Sequence, residues 1–316
     1  MKTKKILVLL LCLTTIITVT NAQNPSGECG DEGAELSWEF NIETGLLTIK
    51  GTGKMLDSWG GDSKIPWYKY KSDITAVSLP NGLSSIGDYA FYNCKNLDSI
   101  AFPASVKSIG YRAFRESGLT SVTIPATVTF VDLEAFHSCH KLKSVDIQST
   151  MSENSNKIAG ETFYFCTALE SLTIAEGIER IAHQAFGECS ALKELVLPST
   201  TYLMDESFQN CTGLESITCY AATPPICHNS VFENVTKSIP VYVPNESVET
   251  YQDESWEEFT NFLPIYSTSI ETVHCTGAQA LKRIENGKLL IEHDGKLFDA
   301  KGAEIMNAEP CRQGDL

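Results

Sequence analysis

Two histidines bracket a cysteine at His137, Cys139 and His140, placing three nitrogen or sulfur groups within four residues. That is the ligand chemistry of a zinc site, in which imidazole and thiolate close a tetrahedron. Serine recurs at Ser99, Ser121, Ser144, Ser171 and Ser216, with Thr123, Thr173 and Thr218 two residues beyond three of them. A serine nucleophile needs a histidine base oriented by a third group, and no His-Asp pair accompanies any of these serines. Cysteine recurs as well, at Cys94, Cys139, Cys166, Cys189 and Cys211. Whether any of these repeats is chemistry or architecture depends on the elements that carry them.

Phe91, Phe114, Phe136, Phe163, Phe186, Phe208 and Phe232 are separated by 23, 22, 27, 23, 22 and 24 residues. A period in that range marks a solenoid, in which each coil packs only on its neighbours. A unit reads L-x-x-I-x-I-P-x-x-V-x-x-I-G-x-x-A-F-x-x-C, most clearly at LDSIAFPASVKSIGYRAF (97–114) and LESLTIAEGIERIAHQAFGEC (169–189). Its first part alternates apolar and polar residues, as at Ile100/Phe102, Val122/Ile124, Val145/Ile147, Leu172/Ile174 and Leu195/Leu197. That is a strand with one face buried. Pro80, Pro103, Pro125 and Pro198 end it where no ladder donor is needed. A second apolar pair follows, such as Val106/Ile109, and Gly87 or Gly110 then allows a turn. The phenylalanine drops a ring between coils. The resulting expectation is a parallel sheet with coils about 4.8 Å apart. The longer gap between Phe136 and Phe163 contains TMSENSN (150–156), expected to bulge as a loop.

This register assigns the candidate groups. Ser117 and Val235 fill the cysteine slot in two units, so the slot is small and buried and its thiols read as free, with a bridge between adjacent coils, Cys166–Cys189 or Cys189–Cys211, as the alternative. His137 and His140 occupy slots held elsewhere by Tyr92, Arg115, Gly187, Lys95 and Ser190, while Cys139 points inward, so no metal or cofactor is expected. The serines and threonines face out of the sheet on its concave side. They form a hydroxyl surface edged by Asp98, Lys143, Glu170, Lys193 and Glu215. Two readings of it stand: solvated sheet, or a shallow interaction face made by Ser99, Ser121, Thr123, Lys143, Ser144, Glu170, Ser171, Thr173, Lys193, Glu215, Ser216 and Thr218. Phe130, Tyr202 and Leu203 stand in outward slots of the other edge, as a contact patch or beneath a loop. Cys219 with Cys227, and Cys275 with Cys311, lie outside the cysteine ladder and are the candidate disulfides. No phosphate-binding glycine loop, paired zinc motif or nucleophile elbow is present, and no enzymatic activity is expected.

The combination of I-P, I-G, A-F and C slots resembles the BspA-type leucine-rich repeat family over Ile74 to about Ile265. The resemblance implies a mainly β repeat solenoid with short turns. It implies an amino-terminal β cap, CGDEGAELSWEFNIETGLLTIKGTGKM (29–55), and a divergent last coil at 223–265. In the family, the aromatic residues at Trp59, Trp67, Tyr68 and Tyr70 pack that cap onto the first coil; stacking on a sugar is the alternative reading. VETYQDESWEEF (248–259) is expected as a short helix over the open end. The family also implies roles in adhesion and in host or matrix contact. Residues 288–305 read as strand, Asp-Gly turn, strand, similar to small β-rich tails of exported Gram-negative proteins, but the chain ends PCRQGDL without their basic final strand.

MKTKK followed by an uncharged apolar run and NAQ reads as a signal peptide over 1–22, hence export to the periplasm, cell surface or medium. Removing it takes the formal charge from −16 to −19, which repels nucleic acid and anionic lipid. No later segment approaches a membrane span. The expected organisation is a cap at 23–73, about six full repeats at 74–217, a divergent repeat and cap at 218–266, and a small β-rich domain at 267–316. The expected function is a non-catalytic exported module that binds a protein or polysaccharide. The alternative is a spacer of a surface complex whose tail makes the contact.

Overall fold

A computed structural model describes residues 23–58, 64–198, 200, 202–253, 256 and 258–265, and the backbone of strands at 272–275, 278–285, 288–293 and 296–298. Within it the repeats form a β-solenoid, each coil contributing to three faces. The first face carries the four-residue strands Ser121–Ile124, Ser144–Ile147, Ser171–Ile174, Glu194–Leu197, Ser216–Cys219 and Val241–Pro244. The first three pair in parallel, as do the last three. The second face carries two-residue strands, among them Ser108–Ile109, Phe130–Val131, Arg180–Ile181 and Tyr202–Leu203. The third face has no strands and is a ladder of turns.

That ladder depends on left-handed backbone at residues other than glycine. Tyr89 and Asn93 flank Phe91 at φ 59° and 58°, and Arg112/Glu116, Glu134/Ser138, Glu161/Phe165, Gln184/Glu188, Glu206/Asn210 and Ser230/Asn234 repeat the pattern. With a left-handed residue on either side of each phenylalanine, every second N–H of the turn points along the solenoid axis. Tyr89, Phe91 and Asn93 thus donate to the carbonyls of Tyr111, Ala113 and Arg115 in the next coil, at 2.9, 2.7 and 2.8 Å. The hydrogen bonds offset a local cost of about 1–2 kcal/mol at each such residue. Gly87 and Gly110, expected to supply the turn conformation, do not have positive φ. Close approach explains them instead: a Cβ on Gly87 would lie 2.2 Å from the Leu56 carbonyl oxygen.

The core is a column of rings. From Phe91 to Phe208 successive phenylalanines stack at 5.1, 5.2, 5.3, 5.2 and 5.4 Å, all fully buried. Coil spacing fixes these separations, and a slight offset keeps them in the favourable stacked range. Each ring contributes roughly 1.5–3 kcal/mol by burial. Tryptophans close both ends. Trp67 stacks on Phe91 at 6.0 Å and donates Nε1–H to the Ala90 carbonyl at 2.7 Å. Trp256 packs on Phe232 at 5.2 Å and donates to the Pro225 carbonyl at 3.0 Å.

The amino-terminal cap is an antiparallel sheet of Ser26–Glu28, Glu35–Asn41 and Leu46–Lys54, whose last strand pairs in parallel with Gly82–Ile86 of the first coil. At the other end, Phe262–Ile265 adds to Val241–Pro244. Between them, among the described residues, the expected helix spans Val248–Asp253, and its Tyr251 is buried with the hydroxyl on the Ala221 carbonyl at 2.8 Å. The tail strands form a separate antiparallel sheet in the order of the chain, with Lys288–His293 and Lys296–Phe298 as the expected hairpin. The signal-peptide reading of 1–22, the placement of Trp59 and the bridge between Cys275 and Cys311 lie outside the described residues. Among the described residues no helix is long and apolar enough to cross a membrane.

Three local expectations need correction. Leu97–Pro103 forms no regular strand, although Phe102 still packs edge-on against Phe114 at 5.8 Å. The following coil has only five steps from Phe114 to Leu119, where other coils have six, and Thr120 N–H reaches back to the Asp98 carbonyl at 2.9 Å. The 150–156 insertion does not project freely. Met151 is buried, and the Asn154 amide donates to the carbonyls of Val131 and Lys157, both at 3.1 Å. Leu203 points into the core and is fully buried, since the side chain inside a two-residue strand faces the column.

Candidate binding face

On the long-strand face the register brings the predicted hydroxyls together. Ser121, Ser144 and Ser171 are direct partners, and Thr123, Asp146 and Thr173 make the next row. Farther along, Glu194 partners Ser216 and Val196 partners Thr218. Ser121, Thr123, Ser171 and Thr173 are exposed, and Ser144, Ser216 and Thr218 are half-buried beside longer neighbours. Ser99 lies in the irregular segment before them and donates to the Asp98 carboxylate at 3.1 Å. Among the described residues no histidine contacts any of these hydroxyls.

Sequence reading missed Asp146, Glu194, Val196 and Tyr242, which stand on the same outward rows. The alternation that places the serines places these too; attention to the repeated residue type hid them. They turn a uniform hydroxyl stripe into a mixed surface, with Val196 38% exposed. The charged edge holds one formed pair: Lys193 Nζ lies 2.8 Å from a Glu215 carboxylate oxygen, both well exposed, so the pair adds little stability. Lys143 and Glu170 adjoin on successive coils, the Glu170 N–H donating to the Lys143 carbonyl at 2.9 Å. On the second face Tyr202 is half-buried with the Arg180 guanidinium 5.0 Å from its ring centre.

The cysteine slot is a hydrogen-bonded ladder. Cys139, Cys166, Cys189 and Cys211 donate to the carbonyls of Phe114, Phe136, Phe163 and Phe186 at 3.1, 3.3, 3.4 and 3.2 Å. All are buried free thiols. Burial pushes Cys94 and Cys211 up to about 12 and Cys189 well above its ordinary value. Cys219 is also a free thiol. It accepts the Tyr251 hydroxyl at 3.1 Å at the end of a long strand, whereas Cys227 sits in a second-face strand, and the candidate bridge between them is not formed.

The turn face gathers the histidine motif differently from its sequence. Cys139 points inward, His140 outward, and His137 lies beside Glu134 and Glu161, the three ligand atoms lying within 4.8 Å of one another. Glu134 is already committed. It accepts from Tyr111 at 3.0 Å, from Arg112 at 2.7 and 3.0 Å, and from Arg115. Two guanidiniums oppose a cation here and explain the group better as a hydrogen-bonded node. Burial, then Arg115 and Arg112, lower His137 to about 4.

The repeat pattern agrees with a known family. The model of the BspA type leucine rich repeat region matches in six copies over residues 66–158 and 156–274. The chain belongs to this family. No curated protein matches it. Among solved structures it is similar to a leucine rich cell surface protein from Faecalibacterium prausnitzii, at 23% identity and TM-score 0.44, covering 71% of this chain and 72% of that one. A leucine-rich repeat protein from Bacteroides ovatus is 20% identical, TM-score 0.41, with 73% and 75% covered. The leucine rich repeat protein of T. pallidum is 20% identical, TM-score 0.43, with 60% and 91% covered. At these values no functional assignment is transferred.

Proposed function

We propose that this chain is a non-catalytic, exported interaction module whose long-strand face binds a protein or a polysaccharide. One observation carries the reading: Ser121, Ser144 and Ser171 align in register across three coils, with Thr123, Asp146 and Thr173 beside them. A repeated row of donors and acceptors suits a repeated or extended ligand. Membership of a family typical of bacterial surface proteins supports export to the periplasm or cell surface, as does the leader-like start of the sequence. The test is to present extracellular-matrix proteins and polysaccharides to the protein at physiological salt. Saturable binding weakened by Lys143→Glu and Lys193→Glu, and kept after deletion from Ser267 onward, supports the reading.

A second reading is favoured by the separate tail sheet. In it the repeats set distance and the tail makes the contact within a surface assembly. Binding that vanishes with the tail and ignores both lysines selects this reading over the first.

A further inference from the structure

The missing residue between Phe114 and Leu119 leaves a notch in the wall of the solenoid. Other coils place two residues between the cysteine slot and the leucine: Lys95-Asn96, His140-Lys141, Thr167-Ala168. The second coil places one, Gly118, and its corner recedes. Gly118 is buried, and a Cβ there would lie 2.1 Å from the Lys95 carbonyl oxygen, so the recess has a floor that only glycine forms. The cleft above it measures about 370 Å³, within the size range of small-ligand sites.

Its walls are basic in an acidic protein. Lys95 stands on one side, His140 and Lys141 on the other, all exposed. Lys141 reaches across the short coil to the Lys95 carbonyl at 3.3 Å, a contact between coils two apart. Neither Lys95 nor Lys141 has a carboxylate partner among the described residues. The one acid on the wall, Glu116, accepts from the Tyr92 hydroxyl at 3.3 Å and lies 3.8 Å from Arg115. At the lip, Phe165 is 38% exposed, its ring 6.2 Å from His140 and perpendicular to it. The ring also meets Tyr164 at 5.2 Å and leaves one side open to solvent next to the basic cleft.

We infer that this notch binds a carboxylate-bearing sugar unit of an acidic polysaccharide. The two ammonium groups take the carboxylate, Ser138 and His140 lie within the cleft to meet ring hydroxyls, and Phe165, outside the cleft lining but against His140, offers a surface for the C–H face of a pyranose. An acidic peptide satisfies the lysines but leaves the aromatic lip without a function. The inference does not rest on the long-strand face, which lies on another side of the coil.

The test uses the full chain and isothermal titration with trigalacturonate and a hyaluronan hexasaccharide at ~0.15 M salt. A neutral galactose trisaccharide and a hexaglutamate peptide serve as comparators. Both uronates are expected to bind saturably and the comparators weakly. Lys95→Gln with Lys141→Gln is expected to weaken the uronates by at least about tenfold. One alanine inserted between Ser117 and Gly118 restores the common corner length. It is expected to abolish binding while both lysines remain. Phe165→Ser is expected to weaken the uronates alone. Absence of uronate binding to the wild-type protein, equal binding of hexaglutamate, or indifference to both the lysine pair and the insertion overturns the inference. Lys143→Glu with Lys193→Glu separates the two faces, because it leaves the notch intact.

Discussion

Cys211 donates its thiol hydrogen to the carbonyl of Phe186, 3.2 Å away in the preceding coil, and the same bond recurs from Cys189 to Phe163 and from Cys166 to Phe136. The ring column and the thiol ladder are therefore one device. Each thiol satisfies the backbone of the residue whose ring carries the stacking.

Phe186 is expected to be the costliest kind of position to truncate. It is fully buried between Phe163 at 5.2 Å and Phe208 at 5.4 Å. Phe186→Ala removes contacts on both sides and leaves a cavity that neighbouring coils cannot fill without breaking their ladders. The expected loss is about 3–5 kcal/mol. Denaturant titration checks it, and a loss below about 1 kcal/mol contradicts the stacked column.

The thiols are expected to be inert in the native protein. Burial holds Cys94 and Cys211 near 12, so at pH 8 they offer almost no thiolate. Iodoacetamide should label these positions only after unfolding, as read by peptide mass spectrometry. Their folded-state values lie above the ordinary thiol value. Their contribution is thus complete below about pH 9 and is lost as pH rises from there toward 12. Rapid native labelling of Cys211 at pH 8 contradicts its placement.

The period of the phenylalanines and the alternation of the strands were legible in the sequence because each rests on a side chain that recurs. The turn face was not. Its left-handed positions hold Tyr, Asn, Arg, Glu, Ser, Phe and Gln, residue types that do not announce that conformation. It is imposed by the ladder through Phe91, Phe114 and their successors. The absent bridge between Cys219 and Cys227 has a similar cause, since eight residues of spacing do not reveal that a corner separates two faces. Of the candidate binding face, the serine rows were legible and Asp146, Glu194 and Val196 were not, because they break the repeat.

Ser230 isolates the cost of left-handed backbone. It is exposed, at φ 59°. Ser230→Gly removes the local strain, partly offset by greater freedom of the unfolded chain, and should change stability by less than about 1 kcal/mol in the favourable direction. Ser230→Val puts a branched side chain into the same conformation and should destabilise by about 1–2 kcal/mol. The glycine variant melting below the valine variant would show that this corner does not adopt the left-handed turn.

His137 should set the acid limb of stability. Its ring is mostly buried, with Arg112 and Arg115 nearby and Glu116, His140 and Glu161 around it, and it falls from an ordinary 6.5 to about 4. A base whose folded value lies below its unfolded value takes up a proton on unfolding throughout the interval between them. Stability is therefore full above about pH 6.5 and declines as pH falls toward 4, by up to about 3 kcal/mol from this group. Below that interval both states are protonated and His137 adds no further slope. His137→Gln removes the titration and should flatten the dependence of melting temperature on pH between 6.5 and 4, at some cost in packing at neutral pH. Parallel pH profiles of the variant and the wild-type protein make the comparison. An unchanged slope would mean that the ring is protonated or solvated in the folded protein, and that the two guanidiniums are balanced by Glu134 and Glu161 more completely than their geometry indicates.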